Sequence, residues 1–303
     1  MAGSQDYAPD PRNDHILVWL NGELIQRREA KVSIFDAGFA LGDGVWEGLR
    51  LHKGALLFLE AHLDRLYRGA EVIRLDIGRD RAQLVRAIAE TLAANAMTDG
   101  VHIRLMVTRG LKATVNQDPR NALGAPTLAI VAEHKVPPAM RPLRLASVSV
   151  RCTPASMFDM RLNSHSRLNL IRALIEAIEA GADEAVMLDP QGFVSSCNAT
   201  NLFFAADGNV FTSTGTYCFN GVTRANVIGL CHDHGIPVTE RDFGLEEALG
   251  ADEAFVTGTL GGIAPVGALD GQVFAAAPGP VTEHLAGLYE GLKDADADAH
   301  PLA

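Results

Sequence analysis

Residues 127–150 read TLAIVAEHKVPPAMRPLRLASVSV, and this stretch decides how the chain divides. Residues 127–132 are apolar or alternating, which is typical of a strand. The sequence HKVPP at residues 134–138 interrupts that pattern with two prolines. A second apolar strand follows over residues 143–150. The double proline therefore predicts a boundary between two domains.

The residues before this boundary predict a hairpin, two helices and further strands. Asn21-Gly22 follows the apolar residues 16–20 and is a strong signal for a type I′ turn, with residues 23–27 as the returning strand. Apolar residues recur at helical spacing over residues 59–75, and a second helix is expected over residues 80–96. The alternation over residues 101–108 predicts a strand.

The residues after the boundary predict a similar mixture. Helices are expected over residues 167–180, ended by Gly181, and from Thr223 to about residue 234. Strands are expected over residues 143–150, 184–188, 193–195, 202–205, 236–241 and 253–257. Helices mixed with hairpins favour an α+β fold over a doubly wound sheet.

The predicted organisation has two domains with flanking segments. A smaller N-terminal α/β domain covers residues 15–134, and a larger C-terminal domain covers residues 143–292. Residues 135–142 form the linker. A flexible arm over residues 1–14 and a frayed tail over residues 293–303 complete the prediction.

Composition excludes several functions. The chain carries 26 Lys and Arg against 37 Asp and Glu and has no basic run, which argues against a nucleic-acid partner. No apolar stretch reaches the roughly 18–20 residues that span a bilayer, and the opening residues do not resemble a signal peptide. We therefore expect a cytoplasmic protein with no membrane partner.

The cysteines and histidines do not predict a metal site. The four cysteines form no Cys-x-x-Cys pair, so we expect reduced thiols. His232 and His234 lie two residues apart without a convincing third ligand, and we expect no metal there.

Three groups of motifs occur in order along nearly the whole chain. The first comprises WLNGE (19–23), AKVS (30–33), GDGVWEGLR (42–50) and HLDRL (62–66). The second comprises AGADEA (180–185), LD (188–189), GFV (192–194) and NLF (201–203). The third comprises GVTR (221–224), ADEAFVTGT (251–259) and PV (265–266). Together they resemble the class IV aminotransferases, the fold-type-IV pyridoxal phosphate (PLP) enzymes that include branched-chain and D-amino acid aminotransferases and aminodeoxychorismate lyase.

The resemblance implies a two-domain fold of the D-amino acid aminotransferase type, with the coenzyme in the cleft between domains. It also implies a homodimer whose partner completes each site. Phosphate binding is carried over to Arg65, Val222, Thr223 and Thr259. General chemistry agrees, because guanidinium groups and the N–H groups of a helix N-terminus both bind phosphate.

The sequence departs from the family at the residue that bonds covalently to the coenzyme aldehyde. The family's lysine corresponds to Asn163, counting back from Gly181, or to Leu162 with a one-residue gap. No lysine occurs between Lys135 and Lys293. An amide nitrogen neither attacks an aldehyde nor acts as a base near neutral pH. The resemblance and this departure together predict PLP or pyridoxamine phosphate (PMP) bound non-covalently.

A second departure concerns the coenzyme ring nitrogen. The family places a glutamate there, which keeps the ring nitrogen protonated, and this position corresponds to Ser196, four residues after Gly192. A hydroxyl can hydrogen-bond a neutral ring nitrogen but cannot keep it charged. The resemblance therefore implies that the coenzyme would be a weaker electron sink here.

Several neighbouring residues are candidates for the altered chemistry. His165 lies two residues from Asn163 and can act as a general base near neutral pH. Cys197 is a candidate nucleophile. Three arginines are candidates for binding a substrate carboxylate: Arg50, Arg109 and Arg167.

Three functions remain open from the sequence. The first is an atypical class IV aminotransferase-family enzyme that acts on an amino acid or keto acid with non-covalent PLP or PMP. The second is a coenzyme-independent lyase, isomerase or hydrolase that reuses the phosphate site, with Asn163, His165, Ser196 and Cys197 as its acid–base residues. The third is a non-catalytic protein that binds a ligand.

Overall fold

A computed structural model describes residues 7–136 and 141–302. Residues 1–6 of the predicted arm and the prolines at 137 and 138 lie outside the described residues. The described chain forms two compact units. The N-terminal unit comprises residues 8–136, 162–167 and 293–302, and the C-terminal unit comprises residues 141–161 and 168–292.

The N-terminal unit is built on a six-stranded sheet. Its strands are β1 (Leu17–Leu20), β2 (Glu23–Gln26), β3 (Gly44–His52), β4 (Ala55–Leu56), β5 (Val101–Thr108) and β6 (Thr127–His134). Their order across the sheet is β2-β1-β6-β5-β3-β4. The helices are α1 (Ala37–Leu41), α2 (Leu59–Val72) and α3 (Arg81–Ala94), with 3₁₀ turns at Pro11–His15 and Pro119–Asn121. Leu49, Leu63 and Leu105 lie in one hydrophobic core, so α2 buries its apolar face against β3 and β5.

The structure confirms four predictions for this region: the hairpin, both long helices, and the strands β5 and β6. Strand β3, which lies between β5 and β4, was not predicted. Its sequence, GVWEGLRLH, contains two glycines and two charged residues, which hide the alternation that identifies a strand.

Part of the predicted flexible arm is ordered. Residues 11–15 form a 3₁₀ turn, and the side chain of Asn13 is buried. Its Nδ2 donates to the carbonyl oxygen of His134 at 2.8 Å, and its Oδ1 accepts from the backbone N–H of His134 at 2.8 Å. The Asn13 side-chain amide thus pairs with both backbone groups of the last residue of β6. The composition of the first 14 residues does not reveal this contact.

The C-terminal unit is built on a nine-stranded sheet. Its strands are β7 (Leu143–Ser147), β8 (Glu184–Leu188), β9 (Val194–Cys197), β10 (Asn201–Ala206), β11 (Asn209–Thr212), β12 (Val238–Glu240), β13 (Glu253–Gly258), β14 (Gly262–Leu269) and β15 (Gln272–Val273). Eight strands follow the order β12-β11-β10-β13-β14-β7-β8-β9, and β15 pairs with β14. The helices are α4 (Leu168–Glu179), α5 (Val222–Asp233), α6 (Leu245–Leu249) and α7 (Pro280–Ala299), whose last residues, from 293 on, belong to the N-terminal unit. The mixture of helices with antiparallel and parallel strands is the predicted α+β class.

Two segments differ from the predicted organisation. The frayed tail expected from Lys293 is wrong, because α7 continues to Ala299 and buries Ala297 with Ala55 and Leu57. Residues 162–167, expected in the C-terminal domain, belong to the N-terminal unit instead. Both differences depend on contacts with residues far away in the sequence. Among the described residues, none of the helices is long and apolar enough to cross a membrane.

Candidate functional site

A buried ion pair in the N-terminal unit joins β3 to α2. Glu47 follows the buried Val45 along β3 by two residues, so its side chain points to the face that α2 covers. His62 and Arg65 lie three residues apart on α2 and therefore share one helix face. Arg65 Nε and Nη2 donate to the two carboxylate oxygens of Glu47, each at 2.7 Å. His62 Nδ1 lies 2.7 Å from Glu47 Oε2.

The charge of Glu47 is stabilised despite its complete burial. Burial alone would raise the pKa of this carboxyl, but the hydrogen bonds from Arg65 and His62 outweigh that effect and lower it. The ionised carboxylate in turn orients the Arg65 guanidinium through two parallel hydrogen bonds. Arg65, the predicted phosphate ligand, is thus held in a defined position.

The segment 162–167 runs along the start of β3. The backbone N–H of Trp46 donates to the Asn163 carbonyl at 2.9 Å, and that of His165 donates to the Gly44 carbonyl at 3.0 Å. Trp46 Nε1 also donates to the carbonyl oxygen of Ser164 at 3.0 Å. These bonds place Asn163 beside Glu47, with its side chain buried.

The Asn163 amide lies between a carboxylate and a guanidinium. Its Nδ2 donates to Glu47 Oε1 over 3.5 Å, a long hydrogen bond, and its Oδ1 accepts from Arg167 Nη2. Arg167 Nε donates to the carbonyl oxygen of Ser164 at 3.0 Å. Asn163, one of the two positions predicted to replace the family's lysine, is therefore a neutral, hydrogen-bonded group with no reactive amine.

His165 is packed beside the glycine that starts β3. A Cβ on Gly44 would lie 2.4 Å from the backbone carbonyl oxygen of Val107 and 2.7 Å from His165 Cδ2, so the close approach of β5 and of the ring requires glycine there. Among the described residues, His165 Nε2 is buried without a hydrogen-bond partner. Burial lowers the pKa of this imidazole, and the charge of Arg104 lowers it further. The ring is therefore neutral at pH 7, as a general base must be.

Two guanidinium groups lie against the indole of Trp46. The guanidinium carbon of Arg104 is 3.7 Å from the ring centroid, and that of Arg167 is 5.3 Å from it. Arg104, on β5, was not predicted as a site residue. Arg104 lies at an outward position of a strand whose alternate side chains are buried. A basic residue at such a position is the sequence feature that could have identified it.

The other two candidate arginines, Arg109 and Arg50, donate hydrogen bonds to backbone carbonyls. Arg109 Nε and Nη2 pair with Asp43 at 2.6 and 3.0 Å, and its remaining hydrogen bonds go to the carbonyls of Ile73 and Arg74. Arg50 Nη1 donates to the carbonyl of Lys135. Arg109 thus has structural partners for most of its N–H groups, and the binding of a substrate carboxylate by Arg50 or Arg109 stays a prediction.

In the C-terminal unit, Ser196 and Cys197 point to opposite faces of the sheet because they are adjacent on β9. Ser196 Oγ donates to the carbonyl of Thr200 at 2.9 Å. Cys197 lies in the hydrophobic core, and burial raises the pKa of its thiol well above the usual value. The prediction of Cys197 as a nucleophile is therefore wrong, since a buried, protonated thiol is inert.

The predicted phosphate residues of the C-terminal unit lie at a helix start and a turn. Helix α5 begins at Val222 after Gly221, and no side chain caps its first turn. Thr223 is buried, and its Oγ1 is 3.4 Å from the hydroxyl of Tyr289. Thr259 lies in the turn after β13. The N–H groups of an uncapped helix start suit an anion.

Comparison with known proteins gives the same family as the motifs. The family model of the amino-transferase class IV matches residues 44–269, which is most of the chain. The chain belongs to the class IV aminotransferases.

Relatives of this class IV chain include curated and structurally solved proteins. It is 40% identical over 290 residues to the branched-chain-amino-acid aminotransferase-like protein 2 of Arabidopsis thaliana, covering 94% of this chain and 52% of that protein. The chain thus spans about half the length of that relative. A branched-chain aminotransferase from Thermoproteus uzoniensis, solved with norvaline, has a TM-score of 0.86 and 31% identity over 95% of this chain and 100% of that one. The T.th. branched-chain amino acid aminotransferase, solved with pyridoxamine 5′-phosphate, has a TM-score of 0.85 and 30% identity, covering 92% of this chain and 95% of that one.

The side chains of this chain suit the phosphate of the coenzyme better than its aldehyde and its ring nitrogen. The uncapped start of α5 in the C-terminal unit and the oriented Arg65 guanidinium in the N-terminal unit each suit an anion such as phosphate. Asn163 offers no amine for a covalent bond. The hydroxyl hydrogen of Ser196 is used by Thr200, so Ser196 offers only oxygen lone pairs to a ring nitrogen.

Proposed function

We propose that the chain binds PLP or PMP non-covalently and acts on an amino acid or keto acid. In this proposal Arg65, Val222, Thr223 and Thr259 hold the coenzyme phosphate. The observation that supports it is the buried Asn163 amide, which is hydrogen-bonded to Glu47 and Arg167 and which the sequence predicts to replace the family's lysine.

The residues of this chain then have the following roles. Bound there, the coenzyme would supply an aldehyde or amine and an electron-withdrawing ring. His165 Nε2, which is neutral and without a hydrogen-bond partner among the described residues, holds and moves the proton that a lysine carries elsewhere in the family. Ser196 carries no negative charge to keep the ring nitrogen protonated, so we expect transamination to be slow.

The assembly proposed for the chain is a cytoplasmic homodimer without nucleic-acid or membrane partners. An exposed apolar stripe on α4 supports a partner subunit. Its members recur at spacings of three and four residues along the helix: Leu168, Ile171, Ile175 and Ile178. Each is at least 50% exposed in the single chain, which is unusual for a helix face of this length.

The decisive experiment is reductive trapping with borohydride after addition of PLP, followed by peptide mass spectrometry. The purified wild-type chain should retain coenzyme at micromolar concentration, yet yield no specific lysine adduct. The variant Asn163→Lys should give an adduct at residue 163, because its amine would lie where the amide now lies. Arg161→Lys is the matched control, since it adds an exposed lysine two residues away and should react only at background level.

Two results would overturn the proposal. A specific adduct in the wild-type chain on Lys31, Lys112 or Lys135 would restore an ordinary covalent mechanism. Failure to bind either PLP or PMP would favour a protein that uses the family fold without the coenzyme.

A further inference from the structure

The side chain of Asn201, at the start of β10, pairs with the turn that precedes α5. It is buried in the C-terminal unit. Its Nδ2 donates to the carbonyl oxygen of Phe219 at 2.7 Å, and its Oδ1 accepts from the backbone N–H of Gly221 at 3.2 Å. One side-chain amide therefore holds the two backbone groups that flank residue 220, directly before the helix begins.

This close contact explains the glycine at residue 221. Gly221 is the N-cap residue of α5, and its backbone angles (φ −65°, ψ 144°) are ones that any residue can adopt. A Cβ at this position would nevertheless lie 2.5 Å from Asn201 Oδ1. The next nearest atoms belong to Arg224 and would lie at 3.7 Å, an ordinary contact distance. The missing side chain thus makes room for the hydrogen bond between Gly221 and Asn201.

Asn201 also lies beside two further parts of the predicted site. Its Nδ2 is 3.4 Å from Ser196 Oγ, on β9. Its backbone is paired with Thr257 on β13, two residues before Thr259. Asn201 therefore connects three segments of the C-terminal unit: the turn before α5, strand β9 and the end of β13.

The position of Gly221 sets the direction of the first turn of α5. Its carbonyl oxygen accepts from the N–H of Ala225 at 3.0 Å, which is the first hydrogen bond of the helix. The N–H groups of the first turn have no acceptor within the helix, and a glycine N-cap has no side chain to bind them. Such N–H groups bind an anion well only when they point at it together.

We infer that Asn201 is a positioning residue for the coenzyme phosphate at the start of α5. Its amide fixes residues 219–221 against the sheet, so the N–H groups of Val222 and Thr223 keep one common direction. The inference rests on the proposed binding of the PLP or PMP phosphate by these two residues. It adds a residue that acts on phosphate affinity through Gly221.

The test compares PMP with pyridoxamine, which lacks the phosphate. Full-length wild type and Asn201→Ala, both dialysed free of coenzyme, are titrated with each compound by calorimetry. We expect Asn201→Ala to weaken PMP binding about tenfold, because the hydrogen bonds to the phosphate lose their alignment. The affinity for pyridoxamine should change by less than about twofold. A general loss of structure would weaken the binding of both compounds equally.

Gly221→Ala is a second test that leaves Asn201 in the chain. The new Cβ displaces Asn201 Oδ1, so PMP binding should again weaken about tenfold. In the Asn201→Ala background the obstructing atom is gone, and Gly221→Ala should weaken binding by less than about twofold further. Gly229→Ala is the matched control. It makes the same change within α5, where nothing lies within 4 Å of the new Cβ, and should leave the PMP affinity unchanged.

Hydrogen exchange measures the same contact without coenzyme. Asn201→Ala should speed the exchange of the Gly221 and Ala225 amides, followed by mass spectrometry in peptides that span residues 219–225. Asn209→Ala is the control, because it removes an exposed side chain that also donates to backbone carbonyls. It should leave the exchange of these peptides unchanged.

Three results would overturn the inference. They are unchanged exchange at residues 219–225 in Asn201→Ala, equal weakening of PMP and pyridoxamine binding, and additive effects of Asn201→Ala and Gly221→Ala. A wild-type chain that binds neither PLP nor PMP would overturn the proposed function and, with it, the role toward phosphate. The exchange data would then still show whether Asn201 holds the start of α5.

Discussion

Glu47 balances the buried charges of the N-terminal unit. It is 0% exposed and accepts hydrogen bonds from Arg65, His62 and Asn163. Removing one partner of a buried ion pair leaves the other charge without compensation. We therefore expect Glu47→Gln to lower the free energy of unfolding by about 3 kcal/mol, measured by urea denaturation.

The pH dependence of this contribution has a defined sign. The pKa of Glu47 is lowered in the folded state, so its stabilisation is present at neutral pH and is lost as pH falls below the ordinary glutamate value of 4.5. The stability difference between wild type and Glu47→Gln should therefore shrink in acid. Glu60→Gln, an exposed position paired with Arg81, is the control and should change stability by less than about 1 kcal/mol. Equal effects of the two substitutions would contradict the role given to Glu47.

At the scale of elements, the end of α7 is integral to the N-terminal unit. Asp294 accepts from Lys53 and His52, each at 2.8 Å, and the backbone N–H of Phe58 donates to Asp296 at 2.7 Å. Ala297 is buried at the centre of this contact. These contacts explain why an Asp-Ala repeat with low apolar content is helical.

The matched pair Ala297→Asp and Ala295→Asp tests this contact. Both add one carboxylate to the same helix, but residue 297 is buried and residue 295 is exposed. We expect Ala297→Asp to lower the midpoint of thermal unfolding by about 5 °C or more, since a buried carboxylate without a partner costs several kcal/mol. Ala295→Asp should shift it by about 1 °C at most. A frayed tail would make the two variants indistinguishable by circular dichroism.

At the scale of the whole molecule, the apolar stripe on α4 predicts a subunit interface. Ile171→Glu and Ile175→Glu should convert the proposed dimer to monomer, because each would bury a charge between the subunits. Sedimentation equilibrium measures the change. Ala180→Glu, at an exposed position directly after the helix and outside the stripe, adds the same single negative charge as each isoleucine variant and should leave the dimer intact. A wild-type monomer, or a dimer unaffected by the isoleucine variants, would contradict this interface.

The sequence by itself determined the α+β class, the hairpin at Asn21-Gly22, the helices α2 and α4, and the absence of any lysine between Lys135 and Lys293. These are local properties, since turn chemistry, apolar periodicity and residue identity need no distant partner. Tertiary structure alone decided that Asn163 lies between Glu47 and Arg167, that Arg104 lies on Trp46 and that the end of α7 is ordered. Each of these depends on groups brought together from distant parts of the chain. Charge compensation and burial are set by such neighbours, and no local pattern in the sequence encodes them.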